Sequence, residues 1–368
     1  MRFMAAIAGC LVVVLVLADA FHTIVLARRT RQSFRITRLF YKLTWTPFAA
    51  AAKHIRSGQR REGFLGVYGP LSLLLLFALW AIFLVAGFAL LQWAIGLRAG
   101  GRELSLGDDL YLSATTLFTL GTGDPLNTGS RIVTVIEGGT GFMLLGLVIG
   151  YLPVFYQAFS EREVQISLLD ARAGSPPAAA ELLRLDVSDP GRIERYLERS
   201  EKWAAEILES HLSFPMLAWF RSHHANQSWL SALTALADCA AVISLCAEGD
   251  LKIQAELTLA MGTHALADIR GIFDRDDVKR HADRLSDADI SAIREVLGNR
   301  EPLDSDRLDS KELRRRIGMY ESHAQALSAY LLMGLPSWTS QDGSRENWRT
   351  AQKPGNKDSF TVSDPFRS

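Results

Sequence analysis

The sequence predicts an all-α membrane protein with three transmembrane helices, a short re-entrant helix between the second and the third, and an α-helical soluble domain. Three apolar stretches, 3–26, 65–97 and 132–159, are each long enough to cross a bilayer, for which about 20 residues suffice. The charge balance changes sign just after the third apolar stretch. Residues 1–160 carry 14 Lys/Arg against 7 Asp/Glu, whereas the remainder carries 26 against 33 and has the charged periodicity of soluble helices.

The orientation of the spans follows from the basic segment after the first of them. Residues 28–62 contain ten Lys/Arg and a single acid, Glu62. The positive-inside rule keeps such a segment in the cytoplasm. We therefore predict a multi-pass protein of the plasma membrane, with its N-terminus outside and everything after residue 160 in the cytosol.

The N-terminal region allows two alternatives. The first span could be a cleaved signal peptide, because Ala18-Asp19-Ala20 resembles a small-residue cleavage site; the dense basic stretch behind it favours a retained helix over 1–27. The segment 28–64 could be an interfacial helix that contacts anionic lipid. It could also be a loop that only fixes the topology, which is the interpretation we prefer here.

The most informative stretch lies between the second and third spans. Ser105 and Asp108 form the pattern of a capping box, and the pattern predicts a helix over 108–118 that is too short to cross a membrane. Residues 119–124 (Thr-Leu-Gly-Thr-Gly-Asp) follow it. Irregular backbone at membrane depth must be buried in protein or line a water-filled path. Glycines at alternate positions allow successive carbonyls to face one axis, as coordination of a dehydrated monovalent cation requires.

This stretch resembles the T-V-G-Y-G-D signature of the potassium-channel pore family. The run from Asp19 to Leu26 and residues 169–177 resemble bacterial ion-channel-domain proteins with one pore loop. The resemblance implies a pore domain over 65–160. Within it, the outer helix is 65–97, the pore helix 108–118, the selectivity filter 119–124 and the inner helix 131–159.

The function that this resemblance implies is passive conduction of K⁺ by a homotetramer in membrane lipid. The filter residues are Thr119, Leu120, Gly121, Thr122, Gly123 and Asp124, and the carbonyls of the first four would coordinate the ion. The permeant K⁺ is the only ligand expected, without a cofactor. Thr122 replaces the signature tyrosine, which braces the filter from behind, so we expect weaker selectivity for K⁺ over Na⁺.

Four further residues are candidates for supporting or moving this pore. Glu137 is a carboxylate inside an apolar span, where an ionisable group is costly and a functional role is the default hypothesis. We expect it behind the filter or near the outer mouth, with Asp124, a pore-helix hydroxyl such as Thr115 or a structural water as its partner. The alternative is that its side chain snorkels towards the outer surface. Gly141 falls on the family's hinge glycine, with helix packing as the alternative, and Pro153 would kink the inner helix or mark its exit.

The remainder predicts little chemistry. Residues 161–336 form the helical cytoplasmic domain, whose ligand the sequence does not identify, and 337–368 form a disordered tail. No nucleophile–base pair or metal-ligand spacing occurs, so an enzyme is not predicted, and the basic residues lie beside apolar spans rather than in a nucleic-acid-binding pattern. The alternative function is a non-conducting, channel-like membrane protein that signals through the helical domain.

Overall fold

The computed structural model describes residues 1–25, 36–96, 98–99, 102–103, 105–121, 127–184, 189–223, 226–273, 283–300 and 302–339. The chain is mainly α-helical and forms two compact units. The first comprises Met1–Glu161 and Ile207–Arg221, and the second contains the rest. The helices are α1 Arg2–Ala20, α2 Ile36–His54, α3 Gly58–Ile95, α4 Leu106–Leu117, α5 Thr128–Ala173, α6 Ala179–Arg184, α7 Pro190–Ser213, α8 Trp229–Cys246, α9 Gly249–Ile272, α10 Asp287–Leu297, α11 Ser310–Gly318 and α12 Glu321–Leu331.

The described residues also include two antiparallel hairpins of two-residue strands. Strands β1 (Arg98–Ala99) and β2 (Arg102–Glu103) lie between α3 and α4. Strands β3 (Asn299–Arg300) and β4 (Leu303–Asp304) lie between α10 and α11. Both hairpins are connections between helices, so the all-α class holds.

In the first unit, α1 packs along α3. A Cβ atom added to Gly9 would lie 2.7 Å from the carbonyl oxygen of Gly87, so the two backbones touch. Small residues at such crossings let membrane helices approach closely. Asp19, near the end of α1, is buried and accepts a hydrogen bond from Trp80 Nε1 of α3 at 2.9 Å and one from the Thr37 hydroxyl at 2.7 Å. These contacts make α1 an integral part of the unit.

The basic segment after α1 is helical where the structure describes it. Helix α2 covers Ile36–His54 and buries Tyr41 and Trp45, so the preference for a loop was wrong over this range. Tyr41, Trp45 and Phe48 are spaced four and three positions apart, so they lie on one face of the helix, and all three rings contact Tyr68 of α3. The alternative of contact with anionic lipid stays a prediction, and residues 28–35 lie outside the described residues.

The helices that flank the pore loop are longer than predicted. Helix α3 begins at Gly58, seven residues before the predicted outer helix, and α5 runs from Thr128 to Ala173, past the predicted inner-helix end at 159. The apolar stretch predicts only the part of a helix that can lie in a membrane, whereas the charged turns at either end continue the same hydrogen-bond ladder.

Within the described ranges, four helices have the length and composition of a membrane span: α1 with the π-helical turn Phe21–Val25, α3, α5 and α8. Only the first three were predicted as spans. Nearly all of α8 is buried inside the second unit, whereas most of α1 and α5 is not. Because a helix that is apolar on all sides is either a span or a core helix, the burial of α8 indicates a core helix.

The core of the second unit contains a buried charge network on α8. Asp238 is fully buried and accepts two hydrogen bonds, one from Arg284 Nη2 at 2.8 Å and one from the Tyr320 hydroxyl at 2.5 Å. Arg284 also donates to Glu321 at 3.0 Å. Burial alone lowers the pKa of the Arg284 guanidinium, but Asp238 and Glu321 more than offset this and raise it. Removing one partner from such a network leaves a buried charge uncompensated.

The predicted disordered tail begins too early. Trp338 is buried, and its carbonyl accepts the N–H of Ala180 at 2.9 Å. Arg284 lies over the Trp338 ring, 5.7 Å from its centroid. Because the composition of 337–368 is polar, the sequence did not indicate that Trp338 packs in the core. Residues 340–368 lie outside the described residues.

Candidate functional site

The N-terminus of the pore helix α4 is held by its predicted capping box. Ser105 accepts the backbone N–H of Asp108 at 3.3 Å, and the Asp108 carboxylate accepts the N–H of Ser105 at 2.9 Å. The helix starts at Leu106 rather than 108, because the capping residue itself lies just outside the first turn. It ends at Leu117 after 12 residues, which is short for a crossing.

The backbone leaves helical geometry where the predicted filter begins. The N–H of Leu120 bonds to the carbonyl of Thr115 at 2.8 Å, and the N–H of Thr119 bonds to that of Thr116 at 3.0 Å. Thr119 has φ of +56° and Gly121 has φ of +78°. A β-branched residue at positive φ is strained and persists only where its surroundings enforce it. Thr122, Gly123 and Asp124 lie outside the described residues.

Gly141 lies against the C-terminal end of the pore helix. A Cβ atom at this position would overlap the carbonyl oxygen of Leu117 and lie 2.8 Å from its carbonyl carbon. By contrast, a Cβ at Gly139 or Gly146 would meet nothing within 4 Å. Helix α5 continues through Gly141 and through Pro153. The close approach gives Gly141 a packing role, and the hinge roles of Gly141 and Pro153 stay predictions.

Glu137 joins the inner helix to the pore helix through Ser113. Its side chain is fully buried, and its Oε1 accepts the Ser113 hydroxyl of α4. The same hydroxyl lies 2.9 Å from the carbonyl oxygen of Val85 in α3. Among the described residues, Oε2 of Glu137 has no hydrogen-bond partner. Three helices therefore meet at one hydroxyl, which lies six residues before the predicted filter.

The predicted partner Thr115 has a different role. Its hydroxyl lies 2.9 Å from the carbonyl of Tyr111 and 3.0 Å from that of Leu112, both in its own helix. Its own carbonyl oxygen receives the N–H of Leu120, as described above. Thr115 thus contacts the start of the predicted filter through its backbone, and the hydroxyl that meets Glu137 comes from Ser113.

A second polar contact, absent from the sequence-based expectations, joins α3 to the start of α5. Gln92 is fully buried and accepts the Ser130 hydroxyl at 2.6 Å, while its amide donates to the Thr134 hydroxyl at 3.2 Å. Asn127 caps α5 by accepting the N–H of Ser130 at 2.8 Å. A glutamine inside a long apolar stretch was the available signal, because a buried amide needs partners.

In the part of the chain that the structure describes, no group of three or more His, Cys, Asp or Glu side chains is placed to hold a metal ion. The polar groups around the pore helix are instead single hydrogen-bonding residues on three different helices. Such residues can fix one helix against another, as Ser113 and Gln92 do. The negative end of the pore-helix dipole favours a cation beyond Leu117.

Comparison with known families identifies this helical arrangement. Residues 72–158 match the family model described as an ion channel, whose members have a pore domain of the two-transmembrane-helix potassium-channel type. Comparison with curated proteins and with solved structures gives no significant match. The matched segment includes Gln92, Ser113, Glu137 and Gly141, together with the capped pore helix. Residues 72–158 of this membrane protein therefore constitute an ion-channel pore domain.

Proposed function

We propose that four copies of the chain form a channel that conducts K⁺ passively through the carbonyls of Thr119, Leu120, Gly121 and Thr122. The observation that carries the proposal is the geometry at the end of α4. The short helix stops at Leu117, is held from behind by Gly141, and passes directly into a strained backbone with positive φ at Thr119 and Gly121. Backbone carbonyls that face one axis can replace the hydration shell of an ion without fixed charge.

The surface of a single subunit supports the tetramer. Large apolar side chains beside the filter are exposed, namely Tyr111 at 69%, Phe118 at 57% and Leu120 at 75%. One pore loop provides a quarter of a carbonyl ring, so a closed ring needs four loops around one axis. In such a ring these side chains would be covered by neighbouring subunits.

The first prediction tests conduction and subunit number together. Liposomes that contain the purified protein should pass K⁺, and Gly121→Asp should abolish the flux, because a larger residue is strained at φ of +78°. When wild-type and Gly121→Asp chains are co-expressed in equal amounts, flux should fall to about one sixteenth, since each tetramer needs four intact loops.

Three results would count against this proposal. Equal flux from the wild type and from Gly121→Asp would mean that the ion does not pass through the predicted filter. A fall to one half in the mixed sample would mean that each chain acts alone. A wild type that is folded and oligomeric yet passes no ion would favour the alternative of a non-conducting signalling protein.

We further propose that the N-terminus lies outside and that residues 28–62 and 161–368 face the cytosol. Anchoring of Asp19 to Trp80 supports a retained α1, and the basic residues favour the cytoplasmic side. In a Cys10→Ser background, Ser57→Cys and Ser340→Cys should resist a membrane-impermeant thiol reagent in intact cells. Thr128→Cys, in the exposed first turn of α5, should react. Labelling of Ser57→Cys from outside would reverse the orientation.

A further inference from the structure

Residues 214–221, which we call the clamp, follow α7 in the sequence but pack within the first unit. They form a 3-10 turn over Pro215–Trp219. Arg221, at the end of the clamp, forms an ion pair with Glu62 of α3 at 3.4 Å. Five consecutive side chains are buried, none more than 5% exposed: Met216, Leu217, Ala218, Trp219 and Phe220.

One side of the clamp packs on the last apolar turns of α5. The Phe214 ring lies 5.4 Å from that of Tyr151 and 5.9 Å from that of Phe155. The Phe220 ring lies 4.8 Å from Phe155 and 5.6 Å from Phe159. All four pairs are edge-to-face, the geometry in which aromatic rings attract beyond their buried area. The clamp thus holds three successive aromatic residues on one face of the inner helix.

The other side of the clamp packs on α3 and α2. A Cβ atom at Gly69 of α3 would lie 2.6 Å from the Phe220 ring, so this ring fits only against a glycine. The Trp219 ring stacks on Tyr41 of α2, with centroids 4.6 Å apart and planes at 11°. Because Phe220 contacts both Gly69 and Phe155, a single ring links the outer helix to the inner helix.

We propose that the clamp is a positioning segment that sets how often the pore is open, by fixing the end of α5 beside α3. This inference rests on the proposed function, since it assumes that α5 lines a conducting path. The clamp directly follows α7, whose residues up to Glu206 belong to the second unit, and the chain re-enters that unit at Ser222. The clamp therefore offers a direct chain connection through which that unit can act on the inner helix.

The clamp and the filter are well separated along α5. Phe155 lies 18 positions after Glu137, which corresponds to about 27 Å along a helix. A change at the clamp should therefore alter the proportion of time spent open, while the unitary conductance and the ion preference, which depend on the filter, stay the same. This separation distinguishes positioning of α5 from general damage to the fold.

The test displaces Phe220 from the side of the outer helix. Gly69→Ala introduces the clashing Cβ, whereas Gly66→Ala is its matched control, because a Cβ there meets nothing within 4 Å. In planar bilayers, Gly69→Ala should change the open probability by about fivefold or more without a change in unitary conductance or reversal potential. The double variant Gly69→Ala/Phe220→Leu should recover most of the wild-type value, since leucine vacates the space of the ring.

Hydrogen exchange of residues 151–159 in nanodiscs provides a measurement that does not need conduction. Exchange there should be faster in Gly69→Ala than in Gly66→Ala, with residues 106–121 unchanged, and the double variant should reverse the effect. If Gly69→Ala equals Gly66→Ala in both measurements, or if its reversal potential shifts, the inference is overturned. If no variant conducts, the proposed function fails, and the exchange data alone decide whether the clamp holds α5.

Discussion

Gly141→Ala should reduce K⁺ flux at least about tenfold, whereas Gly139→Ala should leave it close to the wild-type value. The added methyl group at position 141 overlaps the backbone of Leu117, which ends the pore helix. A backbone atom cannot rotate away as a side chain can, so either the pore helix or α5 must shift. Because Thr119 follows Leu117 by two residues, such a shift displaces the first carbonyls of the proposed filter.

Thermal stability separates this packing role from the predicted hinge. Overpacking a close contact typically costs 1–3 kcal/mol, so the oligomer of Gly141→Ala should dissociate or unfold at a lower temperature in detergent. A hinge needs only flexibility, and replacing a helical glycine by alanine stabilises a helix. If Gly141→Ala lowers flux but is as stable as Gly139→Ala, the hinge is correct and the contact with Leu117 is unimportant.

The local features of the pore could be predicted from the sequence, because neighbouring residues determine them. The capping box at Ser105 and Asp108 involves positions three apart, and the structure shows its two reciprocal hydrogen bonds. The three long apolar stretches likewise predicted α1, α3 and α5, since the length and hydropathy of a membrane span can be read from consecutive residues alone.

The contacts that hold the pore together could not be predicted, because they join residues far apart in the chain. Glu137 was identified as unusual, but its partner Ser113 is 24 positions away and looked like any other pore-helix hydroxyl. The packing of the clamp was still harder to predict. The sequence at Phe214-Pro215 indicated only a turn, and nothing local shows that its aromatic residues pack against Tyr151 and Phe155, more than fifty residues earlier.

The contact between Ser113 and Glu137 leads to a second large effect. The Ser113 hydroxyl has one hydrogen and two acceptors, Glu137 Oε1 and the carbonyl of Val85. One hydrogen cannot satisfy both, so the network is complete when the side chain at 137 also donates. A glutamine amide can donate to Ser113 Oγ while Ser113 donates to Val85. Alanine at 137 leaves a cavity and removes the link between α4 and α5 altogether.

We therefore expect Glu137→Ala to lower the open probability or make conduction unstable, and Glu137→Gln to be close to the wild type. Ser113→Ala should resemble Glu137→Ala, because it leaves the carboxyl group of Glu137 buried without its hydrogen-bond partner, at a cost of about 1–3 kcal/mol. Ser72→Ala is the matched control, since the hydroxyl of this buried serine donates to the carbonyl of Gly69, three residues earlier in its own helix.

The measurement is open probability and reversal potential under K⁺ and Na⁺ gradients in planar bilayers. The effects of Ser113→Ala and Glu137→Ala should be far from additive in the double variant, because both remove the same link. With threonine at position 122, the wild type itself should discriminate K⁺ from Na⁺ less strictly than a filter with tyrosine there. If Glu137→Ala matches the wild type in both quantities, Glu137 does not support the filter.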